Sequence, residues 1–300
     1  MPAFIALDWG TTTFRAYLMD AAGAILAQAS SDAGILHCRG QGFATALQRE
    51  LATFAEAGKH LPIVAAGMIT SRNGWVETSY LPCPAGLPQL AAALKQLTLA
   101  DGRSIWFCPG VCQRKPHADI MRGEETQIAG LDLPADSTVL LPGTHSKWVR
   151  IEQGAIAGFT TFMTGDLYAA VTAHTILQDS GQDWNDDLFC EALQAGKAAG
   201  EGGGQGILGG LFQIRARQLL EQATIIHTRD WVSGFLIGAE IGEAMKTLGH
   251  ASFPLVIVAN AKLAARYQMA LNYFGVSSRL APPDTAAKGL YRIARLKGLV

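Results

Sequence analysis

The fold is decided by the stretch Phe4-Ile-Ala-Leu-Asp-Trp-Gly-Thr-Thr-Thr-Phe-Arg-Ala-Tyr-Leu-Met-Asp20. Residues 4–7 form an unbroken apolar run, which is typical of a strand buried on both faces. The run ends at Asp8, and Gly10 then permits a tight turn before apolar and aromatic residues resume at Phe14. The pattern predicts a β-hairpin with a carboxylate at the end of its first strand.

The turn of this hairpin carries groups that suit a nucleoside triphosphate with Mg²⁺. Thr11, Thr12 and Thr13 offer hydroxyls and backbone N–H groups to phosphate oxygens. Asp8 would hold the cation through water, because Mg²⁺ gives up its water ligands reluctantly. An ordinary hairpin, in which these side chains serve only the turn, is the alternative, and the spacing alone does not decide between the two.

Four later segments follow the hairpin in a characteristic order. They are Ala-Gly-Met-Ile-Thr-Ser-Arg-Asn-Gly-Trp (66–75), Met-Arg-Gly-Glu-Glu-Thr-Gln (121–127), Leu-Pro-Gly-Thr-His-Ser-Lys-Trp (141–148) and Phe-Met-Thr-Gly-Asp-Leu-Tyr (162–168). Each motif is weak to moderate by itself, whereas the ordered set is specific. Together with Asp8-x-Gly-Thr-Thr12, the set resembles the 2-keto-3-deoxygalactonate kinases of the actin, hexokinase and Hsp70 ATPase superfamily, and the resemblance covers essentially the whole chain.

Hydrophobic periodicity along the chain alternates between strand and helix, which predicts an α/β architecture. The resemblance implies two ribonuclease-H-like, actin-like ATPase domains flanking a nucleotide cleft, with residues 1–132 and 133–300 as the domains. The predicted strands are 4–7, 14–19, 24–29, 61–66, 104–108, 137–141, 147–151, 155–161, 254–258 and 276–280. The predicted helices are 41–57, 89–96, 119–131, one from Thr164 as N-cap, 184–199, 211–222, 229–248, 262–274 and 286–296. In the helix 229–248, Gly234, Gly238 and Gly242 form a ridge that lets another helix approach closely.

The loop after the predicted strand 61–66 mixes cationic, amide and aromatic groups, which suits a sugar acid. Composition alone slightly favours a solvated loop with Trp75 in the core. The resemblance implies the sugar-acid loop, in which Met68, Arg72, Asn73 and Trp75 bind substrate. It also offers Arg122 as a second candidate partner for the substrate carboxylate.

A catalytic carboxylate is expected where the predicted helix after Gly123 begins. The resemblance implies Glu124 as the base, although Glu replaces the more usual Asp and the longer side chain leaves Glu125 open. Acidic residues in a first helical turn are also favoured by the helix dipole alone. Asp166, which stands at the start of another predicted helix, is kept as a substrate-binding residue and reserve base.

The remaining nucleotide contacts come from two later turns. The resemblance implies Gly10 with the three threonines in the first phosphate motif and Gly143, Thr144, Ser146 and Lys147 in the second. Lys147 alternates with Trp148 along a strand, which also fits a lysine that points to solvent. Ala259 and Asn260 replace the usual glycine pair of the adenosine motif.

Composition excludes several classes of protein. The 300 residues suffice for two domains, and 49% apolar against 16% charged residues predicts a sizeable core. The formal net charge of −1 and the absence of a Lys/Arg cluster argue against nucleic-acid binding. No apolar stretch reaches the roughly 18–20 residues that span a membrane, and no signal-peptide pattern opens the chain. We expect a cytoplasmic protein without nucleic-acid or membrane partners, and a homodimer stays open.

The resemblance implies an ATP- and Mg²⁺-dependent kinase that phosphorylates the terminal hydroxyl of the sugar acid 2-keto-3-deoxygalactonate, in galactonate catabolism. The alternatives are a kinase of another sugar or sugar acid, and a nucleotide-switched module of the actin or chaperone kind. A formal dinucleotide fingerprint, Gly204-x-Gly206-x-x-Gly209, follows a predicted helix rather than a strand, so a dinucleotide-binding oxidoreductase is not favoured.

Overall fold

The computed structural model describes residues 1–38, 40, 42–54, 60–178, 184–220, 228–248 and 254–300. The strands are β1 Pro2–Trp9, β2 Phe14–Asp20, β3 Ile25–Ser31, β4 Ile63–Ala66, β5 Tyr80–Pro82, β6 Lys95–Thr98, β7 Ser104–Phe107, β8 Gly110–Gln113, β9 Asp119–Met121, β10 Ser137–Leu141, β11 Ser146–Glu152, β12 Ala155–Phe162, β13 Leu255–Ile257 and β14 Ser278–Leu280. The helices are α1 Ile35–Cys38, α2 Phe43–Leu51, α3 Leu87–Ala92, α4 Glu124–Ala129, α5 Thr164–His174, α6 Asp186–Gly200, α7 Gly206–Leu220, α8 Thr228–Leu248, α9 Ala261–Tyr273 and α10 Thr285–Lys297.

The chain forms two compact units, and the first consists of Met1–Ala135, Ile151–Gly158 and Pro282–Val300. Its main sheet has the strand order β3-β2-β1-β4-β7-β6, in which β1 and β2 form the expected antiparallel hairpin and β1 runs parallel to β4. A smaller sheet, β5-β8-β9, was not expected from the sequence. The last helix, α10, packs against α4 and β1 of this unit.

The core of the first unit lies between its main sheet and the helices α1 and α2. The Trp9 ring is fully buried and packs edge-on against Phe14, and the indole N–H donates to the carbonyl of Ala33 at 2.8 Å. Because an apolar run that is buried on both faces has no solvent side, β1 becomes a central strand. Its position carries Asp8 to the carboxyl end of the sheet.

The second compact unit consists of Asp136–Arg150 and Phe159–Ala281. The five-stranded sheet has the order β12-β11-β10-β13-β14, and β13 runs parallel to both β10 and β14. The α/β architecture predicted from periodicity is confirmed. The boundary predicted near residue 132 stays a prediction.

The glycine ridge of α8 meets α6, as expected from the spacing. A Cβ added at Gly234, Gly238 or Gly242 would lie 2.2, 2.3 or 2.5 Å from a backbone oxygen of α6. Real Cβ atoms do not approach backbone that closely, so only glycine permits this packing. The close helix contact predicted from sequence is confirmed.

Three details of the predicted secondary structure are wrong. The segment 119–131 is not one helix, because β9 pairs with β8 before α4 begins at Glu124. The helix predicted over 89–96 ends at Ala92, and its last residues start β6 at the sheet edge. Thr164 does not cap α5; the N-cap residue is Met163, and the Thr164 hydroxyl bonds to Glu240 instead.

Two predicted helices extend into segments that lie outside the described residues, namely 41 and 55–57 for the helix 41–57 and 221–222 for the helix 211–222. Among the described helices, none combines the length and apolar character that crossing a bilayer requires.

Candidate active site

Three segments of the first unit converge at the carboxyl end of β1. Asp8 pairs with Ala66 in the parallel register of β1 and β4, so Gly67 follows beside Asp8. A Cβ at Gly67 would lie 2.8 Å from the carbonyl oxygen of Trp9 and 3.4 Å from Asp8 Oδ1. A Cβ at Gly123 would lie 3.3 Å from the Cα of Gly67. Both glycines have a positive φ, so the approach of these segments depends on residues without side chains.

Asp8 lies in a partly desolvated position next to two other charges. Its Oδ2 accepts a hydrogen bond from Arg15 Nη1 at 3.1 Å. Burial raises the pKa of the Asp8 carboxyl, the Arg15 charge and hydrogen bond act against that rise, and the negative charge of Glu124 adds to it. Asp8 and Glu124 therefore interact electrostatically, and a cation beside them would lower their mutual repulsion.

The donor set of this edge fits Mg²⁺ better than it fits a metal held by protein alone. Within the described ranges, no group of three or more His, Cys, Asp and Glu side chains is placed to hold a metal ion. Mg²⁺ is usually bound by one or two carboxylates, with water and substrate phosphates as the other ligands. Asp8 meets the lower of these numbers by itself, and Glu124 adds negative charge nearby.

The two adjacent glutamates at the start of α4 have different environments. Glu125 is 1% exposed, and both its carboxylate oxygens accept from the N–H of Gly123, at 2.9 and 2.8 Å. Burial, followed by the negative charge of Glu124, raises the pKa of Glu125 to about 8. Glu124 is half-buried, and its Oε2 accepts from the N–H of Arg122 at 3.0 Å. Of the pair, Glu124 is therefore the carboxylate with accessible surface.

The loop after β4 is held rigidly at its base and exposed at its tip. The Thr70 hydroxyl donates to the carbonyl of Gly67 at 3.0 Å, and the N–H of Trp75 donates to the carbonyl of Ile69 at 2.8 Å. Arg72 and Asn73 lie at the exposed tip, where the Arg72 side chain is 87% exposed and 3.9 Å from Glu77. The loop thus presents one accessible guanidinium and one amide on a fixed base.

Arg122 spans from the start of α4 to that loop. Its Nη1 donates to the hydroxyls of Thr70 and Thr78, each at 2.6 Å, and its Nη2 donates to the carbonyl of Thr78 at 3.1 Å. The guanidinium also lies 4.3 Å from the centre of the Tyr80 ring. Most of its five N–H donors are therefore already engaged by protein groups.

Two residues predicted to bind substrate lie largely against the core. Trp75 stacks on Phe43 with ring centres 6.2 Å apart and meets Phe107 edge-on. Met68 is partly buried against the same cluster. Their roles in substrate binding stay predictions, and the structure brings neither ring nor thioether to the exposed loop tip.

The first phosphate turn keeps its threonines accessible. The N–H of Gly10 donates to the carbonyl of Thr13 at 2.9 Å, which closes the turn, and Thr11 and Thr12 are exposed. A Cβ at Gly34 would lie 2.4 Å from backbone atoms of Thr11 and Thr12. The turn is thus supported from behind by the chain that enters α1.

In the second unit, the turn after β10 packs on the start of α5. A Cβ at Gly165 would lie 2.4 Å from the carbonyl oxygen of Gly143, and the N–H of Asp166 donates to the carbonyl of Thr144 at 3.0 Å. The Asp166 carboxylate lies 2.8 Å from His145 Nε2. Thr144 is exposed, whereas Asp166 is engaged with the turn itself.

Two predicted contacts of that turn are buried. The Ser146 side chain is fully buried, with its hydroxyl 3.0 Å from the Tyr267 hydroxyl. Lys147 is 4% exposed and its Nζ donates to the carbonyl of His145 at 3.4 Å, so a solvent-facing Lys147 is wrong. Burial leaves Thr144 as the accessible hydroxyl of the turn.

Ala259 and Asn260 follow β13 at the same edge of the sheet as Gly143 and Thr144, because β10 and β13 are parallel. The Asn260 side chain accepts from the N–H of Leu263 at 3.0 Å and is the N-cap of α9. A cavity of about 70 Å³ lies nearby, between α5, α8 and α9, and its lining includes Gly143 and Tyr267.

Sequence reasoning missed the residues that support the loop after β4 and the two turns. Thr70 and Thr78 hold the loop through Arg122, and Gly34 packs behind the first turn, but none of them carries a distinctive pattern. Glu240 had a signal, because it is an acidic residue between Gly238 and Gly242 of a ridge predicted to pack against another helix. A charged group at such a position has to be buried or paired.

The arrangement of a hairpin, a phosphate turn and parallel strands in each unit defines an actin-like ATPase fold. The activator of the 2-hydroxyisocaproyl-CoA dehydratase from Clostridium difficile, solved with bound ADPNP, aligns over 98% of this chain and 96% of its own with a TM-score of 0.52. At 13% identity, this likeness shows the fold alone.

The chain belongs to the 2-keto-3-deoxy-galactonokinase family, whose model matches residues 8–293. It is 36% identical over 304 residues to the candidate 2-dehydro-3-deoxygalactonokinase of Rhizobium meliloti (strain 1021), covering 97% of this chain and 96% of the relative. It is 33% identical to the 2-dehydro-3-deoxygalactonokinase of Escherichia coli (strain K12), covering 94% of each. A crystal structure of a candidate enzyme of that name from Sinorhizobium meliloti has a TM-score of 0.87 at 35% identity, covering 97% of this chain and 98% of the other. The class predicted from sequence, an ATP-using phosphotransferase with an alcohol acceptor, is confirmed.

Replacing Glu125 with Gln should change how stability depends on pH. Because the folded pKa of about 8 lies above the ordinary value of 4.5, the folded protein holds a proton that the unfolded chain loses between these pH values. The stabilisation is complete below the unfolded pKa and is lost as pH rises through the folded one. From about pH 5 to about pH 8, the urea midpoint of the wild type should fall relative to Glu125→Gln, which mimics the protonated form.

The matched control is Glu243→Gln, an exposed glutamate of α8, which should follow the wild-type pH trend. Parallel curves for the wild type and Glu125→Gln would contradict the shifted pKa.

Proposed function

We propose that this chain transfers the γ-phosphoryl group of ATP to the terminal hydroxyl of 2-keto-3-deoxygalactonate, with Mg²⁺ as the cation. Membership in the family supports the reaction and the substrate class. The single observation that carries the assignment of residues is the meeting of Asp8, Gly67 and Gly123–Glu124 at one sheet edge. It joins a cation-binding carboxylate, the start of the sugar-acid loop and a candidate base.

Glu124 is the base in this proposal. Its accessible carboxylate is oriented by the N–H of Arg122, and the neighbouring Glu125 faces the core. In phosphoryl transfer the bond to the leaving group is largely broken before the new bond forms, so the base mainly orients the acceptor hydroxyl and takes its proton late. Positioning of this kind contributes typically 10²–10⁴-fold.

Charge at the phosphates is handled by turn groups and by the cation. Asp8 would hold Mg²⁺ largely through water, and the cation would supply positive charge that offsets the charge of the phosphates. The N–H groups of the first turn, with the exposed hydroxyls of Thr11 and Thr12, bind phosphate oxygens. Thr144 and the backbone of Gly143 do the same from the second turn, while Ser146 and Lys147 support that turn from inside.

Recognition of the sugar acid falls to the exposed tip of the loop after β4. Arg72 is the accessible guanidinium there, whereas the donors of Arg122 are largely used to hold the loop. Arg72 therefore pairs with the substrate carboxylate and Asn73 binds a hydroxyl. Arg122 acts as a support that ties the loop to the start of α4, where the base stands. Asp166 supports the second turn through His145.

Ala259 and Asn260 bind the adenosine moiety in this proposal, through backbone at the sheet edge, since the Asn260 side chain caps α9. The cytoplasmic location and the homodimer stay predictions.

The function is tested by ADP release with 2-keto-3-deoxygalactonate, its gluconate epimer and a panel of hexoses as acceptors. The galactonate compound should give the highest kcat/KM, and removal of Mg²⁺ with a chelator should abolish turnover. A preference for a hexose would establish a kinase of another sugar. ATP binding without ADP release for any acceptor would favour a nucleotide-switched module.

Two variants should separate the roles of the carboxylates. Glu124→Gln should lower kcat by about 10²–10⁴-fold while ATP still binds, because the acceptor hydroxyl loses its base.

Asp8→Asn should instead raise the Mg²⁺ concentration needed for half-maximal rate, because a charged oxygen ligand becomes neutral. The exposed Asp187→Asn and Glu243→Gln serve as matched controls. Wild-type kinetics for Glu124→Gln, or unchanged metal dependence for Asp8→Asn, would remove the respective role.

Arg72→Ala should raise the KM for the sugar acid by about tenfold to a hundredfold, as expected for loss of one charge-assisted hydrogen bond, with little change in the KM for ATP. The amide of the substrate, which lacks the negative charge, should be used equally poorly by wild type and variant. The KM of Arg72→Lys for the sugar acid should lie between those of wild type and Arg72→Ala, because a lysine keeps the charge but not the bidentate geometry. Equal KM values for wild type and Arg72→Ala would move carboxylate recognition elsewhere.

A further inference from the structure

A buried carboxylate in the second unit has no part in the proposed chemistry. Glu240, in the middle of α8, is 3% exposed. Its Oε1 accepts from Trp148 Nε1 at 2.8 Å, and its Oε2 accepts from the Tyr267 hydroxyl at 2.6 Å and from the Thr164 hydroxyl. All three are uncharged donors that reach it from β11, α9 and α5. Removing a carboxylate from water is costly, so such a group needs each of these bonds.

Burial raises the pKa of the Glu240 carboxyl, and its hydrogen bonds act against that rise. While Glu240 is ionised it can only accept, so Tyr267 donates its one hydroxyl hydrogen to Glu240 and accepts from Ser146, whose hydroxyl lies 3.0 Å away. The Ser146 hydrogen therefore points inward, along a chain that ends at the carboxylate. While this chain stands, the Ser146 hydroxyl does not donate to a phosphate oxygen.

The same carboxylate controls the other side of the turn through Thr164. Thr164 begins α5, and the next two residues are those that touch the turn: Gly165 packs on the carbonyl of Gly143, and the N–H of Asp166 donates to the carbonyl of Thr144. Moving Thr164 would move both contacts. Glu240 thus reaches the end of the turn through Tyr267 and Ser146, and its beginning through Thr164.

We propose that Glu240 is a positioning residue for ATP, holding the turn Gly143–Ser146 between the start of α5 and Tyr267 so that the exposed Thr144 faces the phosphates. The inference rests on the proposed function, in which this turn binds ATP. An apolar side chain at position 240 would satisfy helix packing but leave the buried donors of Trp148 and Tyr267, and the partly buried Thr164 hydroxyl, without this acceptor. Packing alone therefore does not account for the glutamate.

The test compares wild type with Tyr267→Phe, Glu240→Gln and Glu240→Leu. The matched control is Tyr273→Phe, because Tyr273 is an exposed tyrosine of α9, the helix that also carries Tyr267. Calorimetric titration with the ATP analogue ADPNP and Mg²⁺ gives Kd without turnover. Tyr267→Phe, which removes the hydroxyl bonded to both Glu240 and Ser146, should weaken binding by about threefold to tenfold. Glu240→Leu should weaken it further, and Glu240→Gln should restore part of the loss.

In steady-state kinetics, the KM for ATP should rank the variants in the same order as the Kd for ADPNP, and the KM for the sugar acid should be unchanged. A purely structural role predicts instead a lower melting temperature with wild-type Kd and KM in the folded protein, and that result overturns the inference. If Glu240→Leu does not fold, Tyr267→Phe decides. Failure of wild type itself to bind ADPNP would overturn the proposed function, which separates the two outcomes.

Discussion

The close approach of backbone to backbone at the end of β1 is the constraint on which the first unit depends. Gly67 lies where any Cβ would meet the carbonyl of Trp9, and Gly123 lies where a Cβ would meet Gly67. Interiors are packed too densely to absorb a side chain at such a point. As a consequence, Asp8, the loop after β4 and Glu124 reach one edge although the sequence separates them widely.

The second unit reaches a similar result by different chemistry. Its turn after β10 is held by a glycine contact on one side and by a buried polar network on the other, with Glu240 as the common acceptor. Such a network is costly if any member is lost and rigid when all are satisfied. Both solutions keep exposed turn groups, Thr11, Thr12 and Thr144, in fixed positions.

Much of the fold follows from local pattern, as particular elements show. The apolar run before Asp8 could only become a central strand, and the four-residue spacing of glycines in α8 could only serve a close helix contact. The helix predicted over 119–131 is wrong because the helical spacing of Ile120, Ile128 and Leu131 does not reveal that the first residues of this segment pair with β8. Strand pairing is a long-range property, and periodicity in one segment carries no information about its partner.

The sequence by itself determined the class of protein, because each motif is a run of neighbouring residues and the order of the motifs can be read from the sequence alone. It also narrowed the candidate base to the adjacent Glu124 and Glu125, with Asp166 in reserve. Only the tertiary structure decided between their environments: Glu125 is buried against the N–H of Gly123, while Glu124 keeps its surface. It likewise turned Ser146 and Lys147 inward and left Arg72 exposed. Burial depends on what the rest of the chain packs around a residue, and for that reason no motif states it.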